Sequence, residues 1–217
     1  MPLDFTRLRW MSAAAAVACV TLAGAPATAD GQSTGSGRGG FRVAGYGAVT
    51  NGELASFRDY VNAERLLEGW AESLNEWIGL PRNVGLEFRE CGEANAYYDS
   101  RQSHITMCYE LLSGFTAVFE ENSEEPRTDD EWAEAVLGAT DFIFYHEVGH
   151  ALLDVLELPT LGRNEDAADG LAAYILINAE EEDDPAGETA AVHGVSGLLG
   201  LRGDPELRSM TWPASIP

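Results

Sequence analysis

The sequence predicts an α+β domain that is mostly helical, with a small antiparallel hairpin packed on one long helix. Apolar residues recur at three- and four-residue steps from Leu54 to Trp77, which is typical of an amphipathic helix. Runs with strand composition follow at 84–89, 96–98 and 104–109. A longer apolar segment then reaches Glu157 and predicts the central buried helix. With 217 residues, 45% of them hydrophobic, the chain is expected to form one domain.

The N-terminal part of the chain is expected to lie outside that domain. Residues 1–29 have the features of a secretory signal peptide, with two early arginines, an apolar stretch and an A-x-A cleavage site ending at Ala29. The apolar stretch is shorter than the ~20 residues of a membrane span, so no stable membrane anchor is expected. Residues 30–45 are rich in Gly and Ser and predict a flexible linker. Residues 46–217 would then form the single domain of an exported protein, periplasmic or extracellular.

Charge excludes one class of partner. The formal net charge is −23, and all thirteen basic residues are arginines. Binding to phosphates requires a basic surface, so a nucleic-acid partner is not expected.

Two predictions, a disulfide and a β-hairpin, support each other. After removal of the signal peptide Cys91 and Cys108 remain, and export places them in an oxidising compartment. They are predicted to form a disulfide, with two buried free thiols as the alternative. The runs 96–98 and 104–109 are predicted to pair as an antiparallel hairpin around the turn 99–102, which brings both cysteines to one end.

Helix boundaries in the second half of the chain follow from capping residues. Residues 110–121 predict a short helix. Thr128 or Asp129 then caps the long helix, and the acidic residues that come next suit the helix dipole. Pro159 lies beyond its end, and a further helix is expected with Asn164 as its N-cap.

Polar residues inside the long apolar segment point to a metal site. His146, Glu147 and His150 interrupt the run Phe142–Leu153, where unpartnered polar or charged groups would cost roughly several kcal/mol each. On a helix the two histidines share one face, close enough to bind one Zn²⁺, and Glu147 lies beside them. This is the HExxH pattern of zinc peptidases. The alternative is a buried helix whose histidines form local hydrogen bonds.

A catalytic zinc ion needs a third protein ligand, and the next helix offers one. Glu165 and Asp169 are four residues apart and share a face of that helix. We expect Glu165 to bind the metal and Asp169 to orient a ligand histidine through its other ring nitrogen. Asp166 and Asp169 remain alternative ligands, and acids at a helix start are favoured without any metal. Leu156 stands where a metzincin has its third histidine, which excludes that class.

Three stretches in fixed order resemble the gluzincin group of zinc metallopeptidases: Asn95–Tyr98, His146–His150 and Glu165–Asp169. The last resembles the E-x-x-A-D element of CAAX-type and stress-induced membrane peptidases, in which the Glu binds zinc. More closely, residues 83–178 resemble a bacterial family of secreted metallopeptidase-like proteins that is classed as a domain of unknown function. The stretch that carries this resemblance is HExGHALxDxLxLPxLGRxEDAAD.

The resemblance implies a zincin-like fold, one Zn²⁺ per chain and a peptide or protein substrate. The substrate would lie along an edge strand through Asn95 and Ala96, as in thermolysin-like enzymes. Glu147 would activate a zinc-bound water for hydrolysis of the peptide bond. An oxyanion donor is also required, and the candidates are His193 and Tyr174. His193 is the better candidate of the two. The alternative interpretation of His193 is an ordinary surface histidine. The competing function is a non-catalytic zinc-binding or regulatory module that retains the fold.

Overall fold

The computed structural model describes residues 39–122, 128–160 and 162–178, and these form a mixed α/β domain that is 59% helical. The mostly helical class is therefore confirmed. The predicted signal peptide, residues 30–38 and His193 lie outside the described residues. The strands are β1 (Phe41–Tyr46), β2 (Val84–Arg89), β3 (Ala96–Asp99) and β4 (His104–Cys108), and the helices are α1 (Ala55–Ala63), α2 (Leu66–Trp77), α3 (Tyr109–Asn122), α4 (Asp129–Val155) and α5 (Asn164–Asn178).

The four strands form one sheet in the order β1-β2-β4-β3. β3 and β4 pair antiparallel, as predicted, with Ala96 opposite Met107. β2 pairs parallel with both β1 and β4, so the prediction of an antiparallel sheet is correct only for the hairpin. The β1–β2 pair is parallel because α1 and α2 carry the chain back to the start of β2, as a crossover connection must. β3 is left at the edge of the sheet.

The folded part begins earlier than predicted, because β1 starts at Phe41. The expected flexible linker is therefore wrong for residues 41–45. Phe41 is 1% exposed, and the side chain of Asn75 holds its backbone: the N–H of Phe41 donates to Oδ1 at 2.8 Å and its carbonyl accepts from Nδ2 at 2.9 Å. The composition hides this strand because one buried phenylalanine among glycines gives no clear periodicity.

Two helices replace the single helix predicted from Leu54 to Trp77. The chain turns between α1 and α2 at Arg65, which has the left-handed conformation with φ 54°. The apolar spacing does not reveal the turn, because each helix buries an apolar face of its own. From α2, the Trp70 ring stacks on Phe144 of α4 with centroids 3.9 Å apart and on Phe88 of β2 at 5.8 Å. Trp70 thereby fixes α4 against the sheet.

α4 is the central helix, with 27 residues and a length of about 40 Å. Thr128, one of the two N-caps that the sequence predicts, begins it with a capping box: Thr128 Oγ1 accepts from the N–H of Glu131, whose carboxylate accepts from the N–H of Thr128 at 2.7 Å. After a short loop α5 packs back on α4. Within the described ranges, no helix combines the length and apolar character that crossing a membrane requires.

The predicted disulfide is confirmed, and it holds the loop that leads into β3. Cys91 and Cys108 are bonded with their Cα atoms 5.5 Å apart. Glu110, in the first turn of α3, accepts from the N–H groups of Cys91 at 3.0 Å and Gly92 at 2.6 Å. Gly92 has φ 83°, a conformation that glycine adopts without strain. Covalent and charged contacts therefore fix this loop.

Candidate metal centre

His146, Glu147 and His150 lie in the C-terminal half of α4. His146 is 4% exposed and Glu147 is 3% exposed, while His150 is partly accessible. The two imidazole Nε2 atoms are 3.0 Å apart. The four-residue spacing thus turns both rings toward one position on the face of the helix.

α5 brings carboxylates to the same face. Glu165 lies in its first turn, with Oε2 3.4 Å from Nε2 of His146 and Oε1 3.5 Å from Nε2 of His150. Asp169, one turn further along, approaches the other side of the His146 ring. Asp166 is exposed and pairs with Arg163 at 2.6 Å. Of the acids that the sequence offers as a third ligand, only Glu165 therefore joins both histidines.

The donor atoms of His146, His150 and Glu165 fit a tetrahedral metal ion. They all lie within 4.8 Å of one another, and their closest separations are 3.0, 3.4 and 3.5 Å. Zinc bonds of about 2.0–2.1 Å at tetrahedral angles place neighbouring ligand atoms about 3.3 Å apart. Two imidazoles and one carboxylate are also a donor set that catalytic zinc sites use. This group can therefore hold a metal ion.

Asp169 determines which nitrogen of His146 faces that position. Its Oδ1 is 2.8 Å from Nδ1 of His146. An ionised carboxylate only accepts hydrogen bonds, so this contact favours the neutral tautomer with its hydrogen on Nδ1 and its lone pair on Nε2, facing Glu165 and His150. Ligand histidines in metal sites commonly donate their second N–H to a carboxylate in this way.

Burial controls the ionisation of the site. The pKa of Glu147 is raised to about 8: burial raises it most, a hydrogen bond from the backbone of Tyr98 lowers it, and the charge of Glu165 raises it. Burial also lowers the pKa of His150, and the neighbouring His146 acts in the same direction. A neutral His150 keeps the lone pair that a metal needs, and a carboxyl group with a pKa near neutrality is suited to accept and return a proton.

Asn95 and Ala96 lie where the edge strand begins, and β3 passes beside Glu147. The backbone carbonyl of Asn95 accepts a hydrogen bond from the backbone N–H of Cys108 at 3.1 Å. In an antiparallel pair, alternate residues point their backbone groups toward and away from the partner strand. The backbone groups of Ala96 and Tyr98 therefore face away from β4. Both of these N–H groups are engaged: Ala96 donates to Oδ1 of Asn95 at 2.9 Å, and Tyr98 bonds Glu147. An added strand would therefore meet carbonyl acceptors along this edge, while the N–H donors are already used.

Sequence reasoning missed a polar network that ties β3 to the last turn of α4. The Tyr98 hydroxyl donates to Oδ2 of Asp154 at 2.6 Å, and Nη2 of Arg82 donates to the same oxygen at 2.6 Å. Arg82 also donates from Nε to the Ser103 hydroxyl at 2.8 Å. Asp154 follows His150 by four residues, a spacing that indicates a shared helix face. Nothing local in the sequence singles out Arg82.

The sequence offers two candidate oxyanion donors, His193 and Tyr174. His193 lies outside the described residues. Tyr174 lies nine residues beyond Glu165 on α5, which is about 13 Å along a helix. Its side chain is 64% exposed. The described part of the chain therefore does not bring Tyr174 to the donor set.

The fold and the site together define a domain in which two packed helices present two imidazoles and a carboxylate that could hold a metal ion. Comparison with protein families agrees at that level. Residues 46–197 match the family described as "Putative metallopeptidase", and the chain belongs to that family. Membership supports a protease that acts on a peptide or protein. Neither the comparison with curated proteins nor that with solved structures gives a match.

Proposed function

We propose that the protein is a secreted, zinc-dependent metallopeptidase with a zincin-like fold. One observation carries the proposal: Nε2 of His146 and Nε2 of His150 lie 3.0 Å apart, and the Glu165 carboxylate approaches both, with Oε2 3.4 Å from His146 and Oε1 3.5 Å from His150. The three donors come from two helices and match the spacing of zinc ligands. The disulfide supports export, because disulfides persist in oxidising compartments.

Glu147 is the proposed general base. When bound, zinc supplies a Lewis acid that polarises the scissile carbonyl and lowers the pKa of water. Glu147 accepts a proton from the attacking water and passes it to the leaving amine. A pKa of about 8, raised by burial, suits a group that must do both. The backbone of Tyr98, which hydrogen-bonds the same carboxylate, holds it in place.

Asp169 is proposed to orient His146. By accepting the Nδ1 hydrogen at 2.8 Å it holds the ring in one tautomer and keeps Nε2 directed at the donor set. Its negative charge also makes the imidazole a stronger donor to a cation.

The edge strand is proposed to bind the substrate through Asn95 and Ala96. An extended peptide lying along β3 would donate its own N–H groups to outward carbonyls of the strand, a mode of strand addition. His193 remains the proposed oxyanion donor, which would stabilise the negative charge that develops on the carbonyl oxygen.

One observation favours a second candidate, a zinc-binding or regulatory module without catalytic activity. Both outward N–H groups at the start of β3 are already engaged, by Asn95 and by Glu147. A complete ladder with a substrate strand would require one of these contacts to open. Zinc binding is common to both candidates, and cleavage of peptides distinguishes them.

The test combines metal analysis with a cleavage assay on the full chain produced by export. Wild type is expected to contain about one zinc per chain and to cleave members of a broad peptide library. Glu165→Ala is expected to lose both properties, because two imidazoles alone hold zinc weakly. Asp166→Asn, on the same turn of α5, is the matched control and should keep both. A wild type with zinc but without cleavage would select the non-catalytic module, and a wild type without zinc would exclude both.

A further inference from the structure

α4 and α5 meet at a contact that has no room for a side chain. A Cβ atom built on Gly149 would lie 2.8 Å from Cα and 3.0 Å from Cβ of Ala168. Carbon atoms that are not bonded normally lie about 3.5–4.0 Å apart. Ala168 is fully buried, so it has no open space into which to withdraw. Even one methyl group at position 149 would push the two helices apart.

This contact lies in the middle of the donor set. Gly149 directly precedes His150, and Ala168 stands between Glu165 and Asp169 on α5. The contacts that join the helices on either side of it are 3.5 Å between His150 and Glu165 and 2.8 Å between His146 and Asp169. Any change in the separation of the helices at Gly149 is therefore transmitted to both.

We propose that Gly149 is a positioning residue, whose missing side chain sets the separation of α4 and α5 at which Glu165 and Asp169 reach the histidines. The inference rests on the proposed metal site. It adds the residue that allows Glu165 of α5 to lie close enough to bind the same metal ion as the histidines of α4. Relief of a 2.8 Å contact requires a shift of roughly 0.7 Å or more. Metal–ligand distances hold within about 0.2 Å. Rotation of the Glu165 side chain compensates part of this helix shift, so zinc binding is expected to weaken and not to be abolished.

The matched pair for the test is Gly149→Ala and Gly170→Ala. Both add one methyl group inside a helix and bring the same gain in helix propensity. Gly170 has no atom within 4 Å of its added Cβ, whereas Gly149 meets Ala168. Zinc affinity is measured on the full chain by competition with a chromogenic chelator. We expect Gly149→Ala to bind about tenfold to a hundredfold more weakly, the range for groups that support a ligand, and Gly170→Ala to stay within about twofold of wild type.

Cobalt provides a readout that a general loss of stability would not move. The visible spectrum of bound Co²⁺ reports the number and geometry of its ligands. The cobalt spectrum of Gly149→Ala at saturating Co²⁺ is expected to differ from that of wild type, since the Glu165 carboxylate no longer lies at its normal distance. Gly170→Ala should give the spectrum of wild type.

Four outcomes would overturn the inference. Gly149→Ala could keep the zinc affinity and the cobalt spectrum of wild type, which would show that the contact does not position the ligand. If Gly149→Ala fails to fold, Ala168→Val is the second variant, because it adds bulk to the same contact from the other helix. Wild-type zinc affinity in Ala168→Val would exclude a positioning role. Failure of both variants to fold would exclude it too, because the contact would then serve the fold and not the ligand. A wild type that binds no zinc would instead overturn the proposed function, and the inference with it.

Discussion

Two regions meet at the candidate site, and they are held together by different forces. The helix pair, α4 with α5, is joined there by a close contact of small residues and by acid–imidazole contacts that converge on one position. The edge hairpin, β3 with β4, is held in place by a disulfide and the Glu110 carboxylate, which fix the loop before β3, and by the Tyr98–Asp154 bond, which ties β3 to α4. The donors of the helix pair could hold a cation, whereas the links of the edge hairpin need none. The two regions should therefore respond to different changes.

The largest expected effect is at Glu147, where the two regions touch through the backbone of Tyr98. Glu147→Gln keeps the shape of the side chain but removes the proposed base, so peptide cleavage should fall by about 10²–10⁴-fold while the zinc content stays at the wild-type level. Glu134→Gln, an exposed position on α4, is the control and should leave the rate unchanged. Cleavage by Glu147→Gln at the wild-type rate would mean that another group takes the proton.

Removal of the disulfide should affect the edge hairpin alone. We pair Cys91→Ser, at a partly exposed site, with Cys108→Ala, at a buried one. The cysteines are 17 residues apart, and a loop of that size predicts a decrease of about 3 kcal/mol in the free energy of unfolding. Hydrogen exchange should become faster in residues 91–99. Zinc affinity measured below the unfolding transition should not change, and its loss would show that the two regions are not independent.

Asp169→Asn should affect the helix pair alone. The amide fits the same space, but it holds the His146 ring less firmly in the tautomer that directs Nε2 to the metal. We expect zinc affinity to fall about tenfold to a hundredfold, as for other groups that orient a ligand. Asp166→Asn is the control, because Asp166 contacts Arg163 at the surface. Equal affinities in the two variants would remove Asp169 from the site.

What the sequence predicts well is local. The spacing of His146 and His150 needs only the 3.6-residue helical repeat, and the capping box at Thr128 is read from neighbouring residues. Glu165 and Asp169 follow from the same repeat on the next helix. Their convergence on the histidines depends on how closely α5 approaches α4, which the pattern of apolar residues does not determine.

What the sequence hides depends on contacts between distant residues. β1 forms because Phe41 is buried and Asn75, 34 residues away, bonds its backbone. Arg82 reaches Asp154 across 72 residues. The turn at Arg65 breaks a continuous apolar stripe without a glycine or proline to mark it. In each case the partner that decides the structure lies in another element, so neither composition nor periodicity reveals it.

The smallest expected effect concerns the link between the two regions. The Tyr98 hydroxyl and Arg82 both bond Oδ2 of Asp154, but the Asp154 side chain is 37% exposed, so solvent weakens these contacts. A double-mutant cycle of Tyr98→Phe and Asp154→Asn should give a coupling of about 0.5–1 kcal/mol in the free energy of unfolding.

The same cycle decides whether this link stabilises the fold or serves the site. If it only joins β3 to α4, each variant should keep the zinc affinity of wild type, since neither side chain contacts the donor set. If it also holds the Tyr98 backbone against Glu147, the cleavage rate should fall in both single variants and fall no further in the double variant. Additive losses in rate would mean that Tyr98 and Asp154 act separately, and the two regions would then meet at Glu147 without support from this network.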